Sequence, residues 1–167
     1  MNALGSALTV GGLTVAADIA GKQYARANVE LYHPGDASAD FKQVGPLPVY
    51  VVHSRNEHIG RGLLPDSIER PVALVGAPVT LAGLAWLGSK TGKGGAVGAG
   101  LAAGGVIGNV GEFVSRDYVT DYIGIPGIPI TPNLSDVALF AGAGLLAVNA
   151  FRGGGARGAF LGAHIRM

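Results

Sequence analysis

Four long stretches of the chain are apolar and almost free of charged side chains. Residues 1–17 and Gly94–Gly111 contain no charged residue, Pro71–Ser89 is a 19-residue run without one, and Asn133–Phe151 contains only Asp136. An α-helix needs about 20 predominantly apolar residues to cross a bilayer. The pattern therefore predicts four transmembrane helices within one integral membrane domain, 1–167. The predicted spans cover about 3–27, 71–89, 94–112 and 133–152.

Two segments between these spans, 28–70 and 113–132, have a different composition. The first carries charges of both signs and several prolines, and its alternating run Leu47–His53 is typical of a β-strand. The second is rich in Ile, Pro and Gly, which predicts a loop. Pro71 would then stand in the first turn of the second helix, where proline is tolerated. We expect an all-α membrane protein with four transmembrane helices and a small extracytoplasmic β-sheet segment.

Glycine recurs at every fourth position of the third predicted helix, at Gly100, Gly104 and Gly108. This spacing places the glycines on one helix face, where they allow a neighbouring helix to approach closely inside a bilayer. We therefore expect Gly104 to pack against another transmembrane helix.

The overall composition agrees with a protein embedded in a membrane. Hydrophobic residues make up 49% of the 167 positions and charged residues 14%, whereas an average soluble domain has about 25% charged residues. The net charge of +1 gives no support for a nucleic-acid partner. The absence of cysteine excludes disulfides and cysteine-based metal sites. Residues 1–17 lack the basic start of a cleaved signal peptide, so we interpret them as part of the first span.

Charges are distributed unequally between the two ends of the predicted helices. The connection Lys90–Lys93 and the tail from Arg152 contain basic residues and no acid, whereas the segments 28–70 and 112–132 hold nine of the 11 acids. Basic connections lie preferentially on the cytoplasmic side of a membrane. We therefore expect both termini in the cytoplasm and the two acid-rich segments on the outer side.

Two aspartates, Asp121 and Asp136, are predicted at the outer face, in a loop and at the start of the fourth span. Two carboxylates in close contact share one proton, and the ionised one can activate a water molecule as a general base. This is the chemistry of an aspartic peptidase, and it requires neither a metal nor a cofactor. The alternative is that both aspartates cap helix ends, a role for which Asn133-Leu-Ser-Asp136 is well suited. Spacing alone leaves both interpretations open.

Other polar residues support simpler roles. Asp18 and Lys22 are four residues apart on the first helix, so we expect an ion pair near the membrane interface. His53, Glu57 and His58 do not follow the order of a zinc motif, and we interpret them as part of a solvated loop. The sequence therefore predicts no metal site.

Five short motifs follow one another along residues 10–152. They are Asp18-Ile-Ala-Gly-Lys22, Arg55-Asn56, Ala103-Gly-Gly-Val-Ile-Gly-Asn109, Tyr118-Val-Thr-Asp121-Tyr-Ile and Asn133-Leu-Ser-Asp136. In this order they resemble the D-x-x-x-K, R-N, G-G-x-x-G-N, V-V-D-F and F-N-x-A-D motifs of lipoprotein signal peptidase, the signal peptidase II family. The resemblance implies that Asp121 and Asp136 are the catalytic pair. It also implies substrate-binding positions at three asparagines and structural polar positions in the first helix. These residues are Asn56, Asn109 and Asn133, and Asp18 and Lys22, respectively.

The chain also departs from the family pattern. Glu112-Phe113 stands where the family has D-R, so an arginine expected near the substrate is missing, although Arg116 follows three residues later. The stretch after Asn56 is more polar than the family's N-x-G-A-A-F. We interpret the chain as a divergent member and expect substitutions of Glu112 or Asp117 to retain much of the activity.

The leading hypothesis is an intramembrane aspartic endopeptidase that removes signal peptides from diacylglyceryl-modified prolipoproteins. It implies a multi-pass protein of the bacterial cytoplasmic (inner) membrane, with its active site near the outer face. Its partners would be a prolipoprotein with a lipid-modified cysteine and membrane lipid, and we expect a monomer without cofactor or metal. The alternative is a non-catalytic relative that binds lipopeptides or serves as a scaffold. A channel or transporter would require polar residues deep in several spans, and the second and third spans have almost none.

Overall fold

The computed structural model describes residues 1–32, 42–46, 48–58, 64–128 and 130–153. Four helices in this part of the chain are long and apolar enough to cross a membrane. They are α1 (Ala3–Asn28), α2 (Asp66–Lys90), α3 (Gly92–Arg116) and α4 (Leu134–Gly153). The predicted fold class, four apolar helices with a small β-sheet, is confirmed. The basic tail from residue 154 onward lies outside the described residues.

Helix α3 occupies the centre of the bundle, because it packs extensively against each of the other three helices. Its small residues make this packing possible on two faces. A Cβ added at Gly104 would lie 2.8 Å from the carbonyl oxygen of Gly11 in α1, and one at Gly98 would lie 2.8 Å from the carbonyl oxygen of Gly142 in α4. Since real side-chain atoms do not approach backbone this closely, only glycine fits at these crossings. The predicted packing of Gly104 against another helix is confirmed.

Helix α2 begins at Asp66, before the predicted apolar span, so the placement of Pro71 in its first turn was wrong. Two acids, Asp66 and Glu69, occupy the first turn instead. Carboxylates are favourable there because the unpaired N–H groups give a helix start a partial positive charge. The helix therefore begins before the uncharged run from which it was predicted.

A three-stranded antiparallel sheet covers one end of the bundle. Its strands are β1 (Lys42–Gln43), β2 (Tyr50–Asn56) and β3 (Val119–Gly124), in the order β1-β2-β3. The strand predicted at Leu47–His53 lies three residues later along the chain, and Leu47 itself falls outside the described residues. The predicted sheet therefore exists, with its main strand displaced.

The sequence does not predict strand β3, because the Ile, Pro and Gly content of 113–132 is typical of a loop. Helix α3 continues to Arg116, and Asp117 ends it in the left-handed conformation at φ 61°. The chain then pairs with β2, placing Asp121 opposite Ser54. Val, Thr, Tyr and Ile favour strands, but a strand this short is difficult to recognise when an aspartate stands in its middle.

The chain after β3 returns directly to the strand before it enters α4. The backbone N–H groups of Tyr122 and Ile123 both donate to the carbonyl oxygen of Pro132, at 3.2 and 2.8 Å. This return places the start of α4 beside β3, so that residues separated by a loop in sequence become neighbours in space.

Candidate active site

Asn133 connects the two aspartates that the sequence singled out. Its side-chain Nδ2 donates to Asp121 Oδ1 at 2.7 Å, and its backbone N–H donates to Asp136 Oδ2 at 3.2 Å. Its Oδ1 accepts from the backbone N–H of Asp136 at 2.9 Å. Asn133 is fully buried and Asp121 nearly so, while Asp136 is partly exposed. One residue therefore contacts both carboxylates.

The same contacts show that the helix-cap interpretation of Asp136 also holds. Asn133 precedes α4 and accepts a hydrogen bond from the N–H three residues later, while the side chain of Asp136 returns to the N–H of Asn133. This reciprocal pair is the arrangement of a capping box, with aspartate in the place of the usual Glu or Gln. Asp136 can therefore take part in the helix cap and in a site with Asp121 at the same time.

A second asparagine, Asn109, reaches Asp136 from α3. Its Nδ2 donates to Asp136 Oδ1 at 2.7 Å, and its Oδ1 accepts from Lys22 Nζ at 2.9 Å. Because a lysine ammonium can only donate, this contact fixes which end of the amide faces Asp136. Both oxygens of Asp136 are thus held by amide donors.

The predicted ion pair between Asp18 and Lys22 is present, with Nζ 2.7 Å from Asp18 Oδ2. Its environment differs from the expectation, since both side chains are buried between helices. Lys22 also contacts Glu112 Oε2 at 3.1 Å and donates to the Gly108 carbonyl at 3.2 Å. Asp18 accepts from the backbone N–H of Ser135 at 3.1 Å. Buried charges require such complete pairing, because their desolvation is costly.

Glu112 joins three elements at the base of the sheet. It pairs with Arg26 of α1 and with Lys22, and it accepts from the N–H and hydroxyl of Thr120 at 3.0 and 2.7 Å. Arg26 also donates to the Thr120 hydroxyl at 2.9 Å. Thr120 is fully buried and directly precedes Asp121.

Sequence reasoning missed both Arg26 and Thr120. The sequence offers one signal for Arg26, because this residue lies four positions after Lys22 and therefore on the same helix face.

The position of the missing family arginine is now part of the apolar core. Phe113 is 5% exposed and packs with Ala73 of α2, Val119 of β3 and Val110. Arg116 lines a different surface, a groove of about 310 Å³ between α1 and α3. A cation is thus absent at position 113, and Arg116 occupies a separate groove.

Asn56 has a different environment from the other two predicted asparagines. It lies at the end of β2 opposite Val119, and its Oδ1 accepts from the backbone N–H of His58 at 3.2 Å. Asn109 binds Asp136 directly, and Asn133 binds both aspartates. The contact of Asn56, in contrast, is with the backbone two residues later in the same turn.

One group of side chains has the donor types of a metal site. His58 Nδ1 lies 3.5 Å from both Asp66 Oδ1 and Glu69 Oε1. The two acids stand in the first turn of α2, where the helix start favours them without a metal. A structural role therefore accounts for this group.

Comparison with curated proteins gives no match. Two solved structures have the same fold, both described as a bacterial membrane enzyme and determined by the in meso method, at 1.9 and 2.3 Å resolution. The first has a TM-score of 0.72 and 18% identity, covering 87% of this chain and 92% of that one. The second has a TM-score of 0.73 and 18% identity, covering 89% of each chain.

The family model described as Signal peptidase (SPase) II matches residues 10–152. This range includes α2, α3 and most of α1 and α4, together with both aspartates and the asparagines that bind them. The family match agrees with a multi-pass protein of a bacterial membrane and with a role in the processing of lipoprotein signal peptides. The chain belongs to the signal peptidase II family of membrane proteases.

Proposed function

We propose that the protein is an intramembrane aspartic endopeptidase with Asp121 and Asp136 as its catalytic pair. The observation that carries the proposal is the contact of one buried residue, Asn133, with both carboxylates. Two carboxyl groups that come into close contact can share one proton. The ionised carboxylate then removes a proton from water, which attacks the scissile carbonyl, while the protonated one donates to the carbonyl oxygen.

The surrounding amides position the pair. Asn109 and the backbone of Asn133 bind the two oxygens of Asp136, and the side chain of Asn133 binds Asp121. Lys22 fixes the orientation of the Asn109 amide, because its Nζ donates to Asn109 Oδ1. We assign Asn109 and Asn133 to the orientation of the dyad and of the substrate peptide, and Asn56 to substrate contacts at the edge of the site.

The proposed substrate is a prolipoprotein whose cysteine carries a diacylglyceryl group. The dyad lies at the sheet-covered end of the helices, and the basic connection between α2 and α3 lies at the opposite end. A helix of 25 residues is roughly 37 Å long, enough to separate the two ends across a bilayer. With the basic connection in the cytoplasm, cleavage takes place near the outer face and both termini are cytoplasmic.

An apolar groove supports a lipid-linked substrate. It has a volume of about 430 Å³ and runs between α1 and α2, with small residues of α3 such as Ala99, Gly100 and Ala103 as its floor. We propose that the signal helix lies along this groove and that the apolar outer parts of the helices hold the acyl chains. The protein acts as a monomer in this scheme, and it needs no cofactor.

A non-catalytic, lipopeptide-binding function is the second candidate. The observation that favours it is Phe113, which replaces a family cation by a side chain of the core. Binding of substrate without cleavage would follow if that cation were essential for the reaction.

The deciding experiment is a gel-shift assay on a lipid-modified prolipoprotein with the wild-type protein and Asp121→Asn. We expect the wild type to release the signal peptide and the variant to leave the substrate intact. Binding of the substrate by both proteins, with cleavage by neither, would establish the second candidate instead.

A further inference from the structure

Tyr122, which directly follows Asp121 in β3, contacts two helices at once. Its hydroxyl lies 3.4 Å from Asp18 Oδ1 in α1 and accepts from the backbone N–H of Leu134 at 3.3 Å. Leu134 is the first residue of α4 and stands two residues before Asp136. A single side chain thus joins the strand that carries one aspartate to the turn that carries the other.

The ring of Tyr122 lies in a space that only glycine leaves open. A Cβ added at Gly21 in α1 would lie 2.5 Å from both Cζ and the hydroxyl oxygen of Tyr122. The ring therefore rests directly on the α1 backbone, one turn beyond Asp18. This packing fixes the direction of the side chain and, with it, the position of β3 relative to α1.

The protonation state of the hydroxyl agrees with its role as a donor. Burial, together with the nearby Asp18 carboxylate, raises the pKa of Tyr122 above its usual range. The hydroxyl therefore keeps its proton and can donate to Asp18 while it accepts from Leu134. The N–H of Leu134 has no acceptor within α4, because it belongs to the first turn.

We propose that Tyr122 is a positioning residue that sets the geometry of the Asp121–Asp136 pair by bracing β3 against α1 and the start of α4. The inference rests on the proposed function, since the pair is the proposed catalytic centre. Loss of the hydroxyl removes the contacts with Asp18 and Leu134 and lets the Asp121 strand shift relative to the Asp136 turn, without removing either carboxylate. The effect belongs to the chemical step and not to substrate binding, because the contacts of Tyr122 are with the protein.

The kinetic test compares Tyr122→Phe with Tyr118→Phe in the full-length protein, using a diacylglyceryl-cysteine lipopeptide as substrate. Tyr118 is a suitable control because it lies just before β3, with its ring 4.7 Å from the guanidinium carbon of Arg55. Tyr122→Phe should lower kcat about tenfold or more and leave KM within about twofold, since small displacements of reacting groups are costly. Tyr118→Phe should retain both constants. An unchanged kcat, or a rise in KM alone, would overturn the proposal.

A second pair of variants tests the ring without touching the tyrosine. Gly21→Ala should lower kcat by displacing the ring, whereas Gly76→Ala in α2 should not, because a Cβ there meets no described atom within 4 Å. Thermal unfolding of both variants identifies any loss of folding. Equal kcat values for the two folded alanine variants would count against the positioning role of Tyr122.

Amide hydrogen exchange provides a readout that does not need catalysis. In Tyr122→Phe the exchange of the Leu134 N–H should rise about fivefold to tenfold, the effect of one lost hydrogen bond. Tyr118→Phe should leave it unchanged. If the wild type cleaves no lipopeptide, the proposed function fails. The exchange rate of the Leu134 N–H then supports or overturns the positioning role of Tyr122 without reference to catalysis.

Discussion

At the scale of single residues, Asn133 shows how one side chain can serve both folding and chemistry. It precedes α4, caps the helix through Asp136, and binds Asp121 with its remaining amide group. The cap holds Asp136 at a fixed place in the first turn, where the helix dipole also favours a carboxylate. Stability of the helix start and orientation of the proposed dyad therefore depend on the same contacts.

Replacement of either aspartate by asparagine should abolish signal-peptide processing. General acid–base groups contribute typically about 10²–10⁴-fold, and residues that act as one unit are not additive. Asp121→Asn, Asp136→Asn and the double variant should therefore fall to a similar residual rate in a prolipoprotein processing assay. Asp117→Asn is the matched control, because Asp117 is exposed and pairs with Arg70. Substantial processing by either single dyad variant would exclude the two-carboxylate mechanism.

At the scale of secondary-structure elements, charged and small residues determine how the helices meet. Lys22, Arg26 and Glu112 form a partly buried cluster that connects α1 and α3 to β3. Glycines of α3 let α1 and α4 approach its backbone. The charged cluster and the glycine faces thus complement each other, one at the sheet end and the other along the spans.

Glu112→Gln should destabilise the protein by about 2 kcal/mol, because it removes the carboxylate of the partly buried Arg26 and one of the two carboxylates that pair with buried Lys22. Activity should fall with it, since Glu112 holds Thr120 next to Asp121. This replaces the sequence-based expectation of a mild effect. Thermal unfolding in detergent measures the change, with Asp117→Asn as the control, since an exposed pair contributes about 0–1 kcal/mol. Equal unfolding temperatures for the two variants would contradict the role of the cluster.

Gly104→Leu should prevent normal packing of α3, because a Cβ alone would already lie 2.8 Å from α1 backbone and from Thr14. Gly76→Leu in α2 is the matched control, since a Cβ there meets no described atom within 4 Å. The yield of folded, membrane-inserted protein distinguishes the two. Normal folding of Gly104→Leu would require α1 to lie further from α3 than the structure places it.

At the scale of the whole molecule, the proposed dyad and the basic connection lie at opposite ends of α3. From the positive-inside tendency of basic connections we propose that this connection is cytoplasmic and that the sheet lies on the outer side. This arrangement would expose the site to substrates whose signal helices already span the membrane.

A single cysteine introduced at Thr91 should react with a membrane-impermeant thiol reagent only after the cells are opened. Ser67→Cys, at the sheet-covered start of α2, should react in intact cells. Because the chain contains no cysteine, labelling reports the introduced position alone. Labelling of the Thr91 variant from outside would reverse the proposed topology.

The amino-acid sequence alone was enough to predict the four apolar helices, the small-residue face of α3 and the family motifs. These features follow from local composition and helical periodicity, which do not depend on distant contacts. It also identified Asp121, Asp136, Asn109 and Asn133 as one set, through the family resemblance and not through spacing.

The contacts between distant residues depend on how the elements pack. Strand β3 exists because β2 supplies its backbone partners, and Tyr122 reaches Asp18 over a sequence separation of 104 residues. Arg26 and Glu112 likewise pair across 86 residues. Phe113 could not be assigned to the core from sequence, because a single aromatic residue near a helix end has no local signal for what covers it. Such contacts depend on how the elements pack, and a linear pattern does not contain that information.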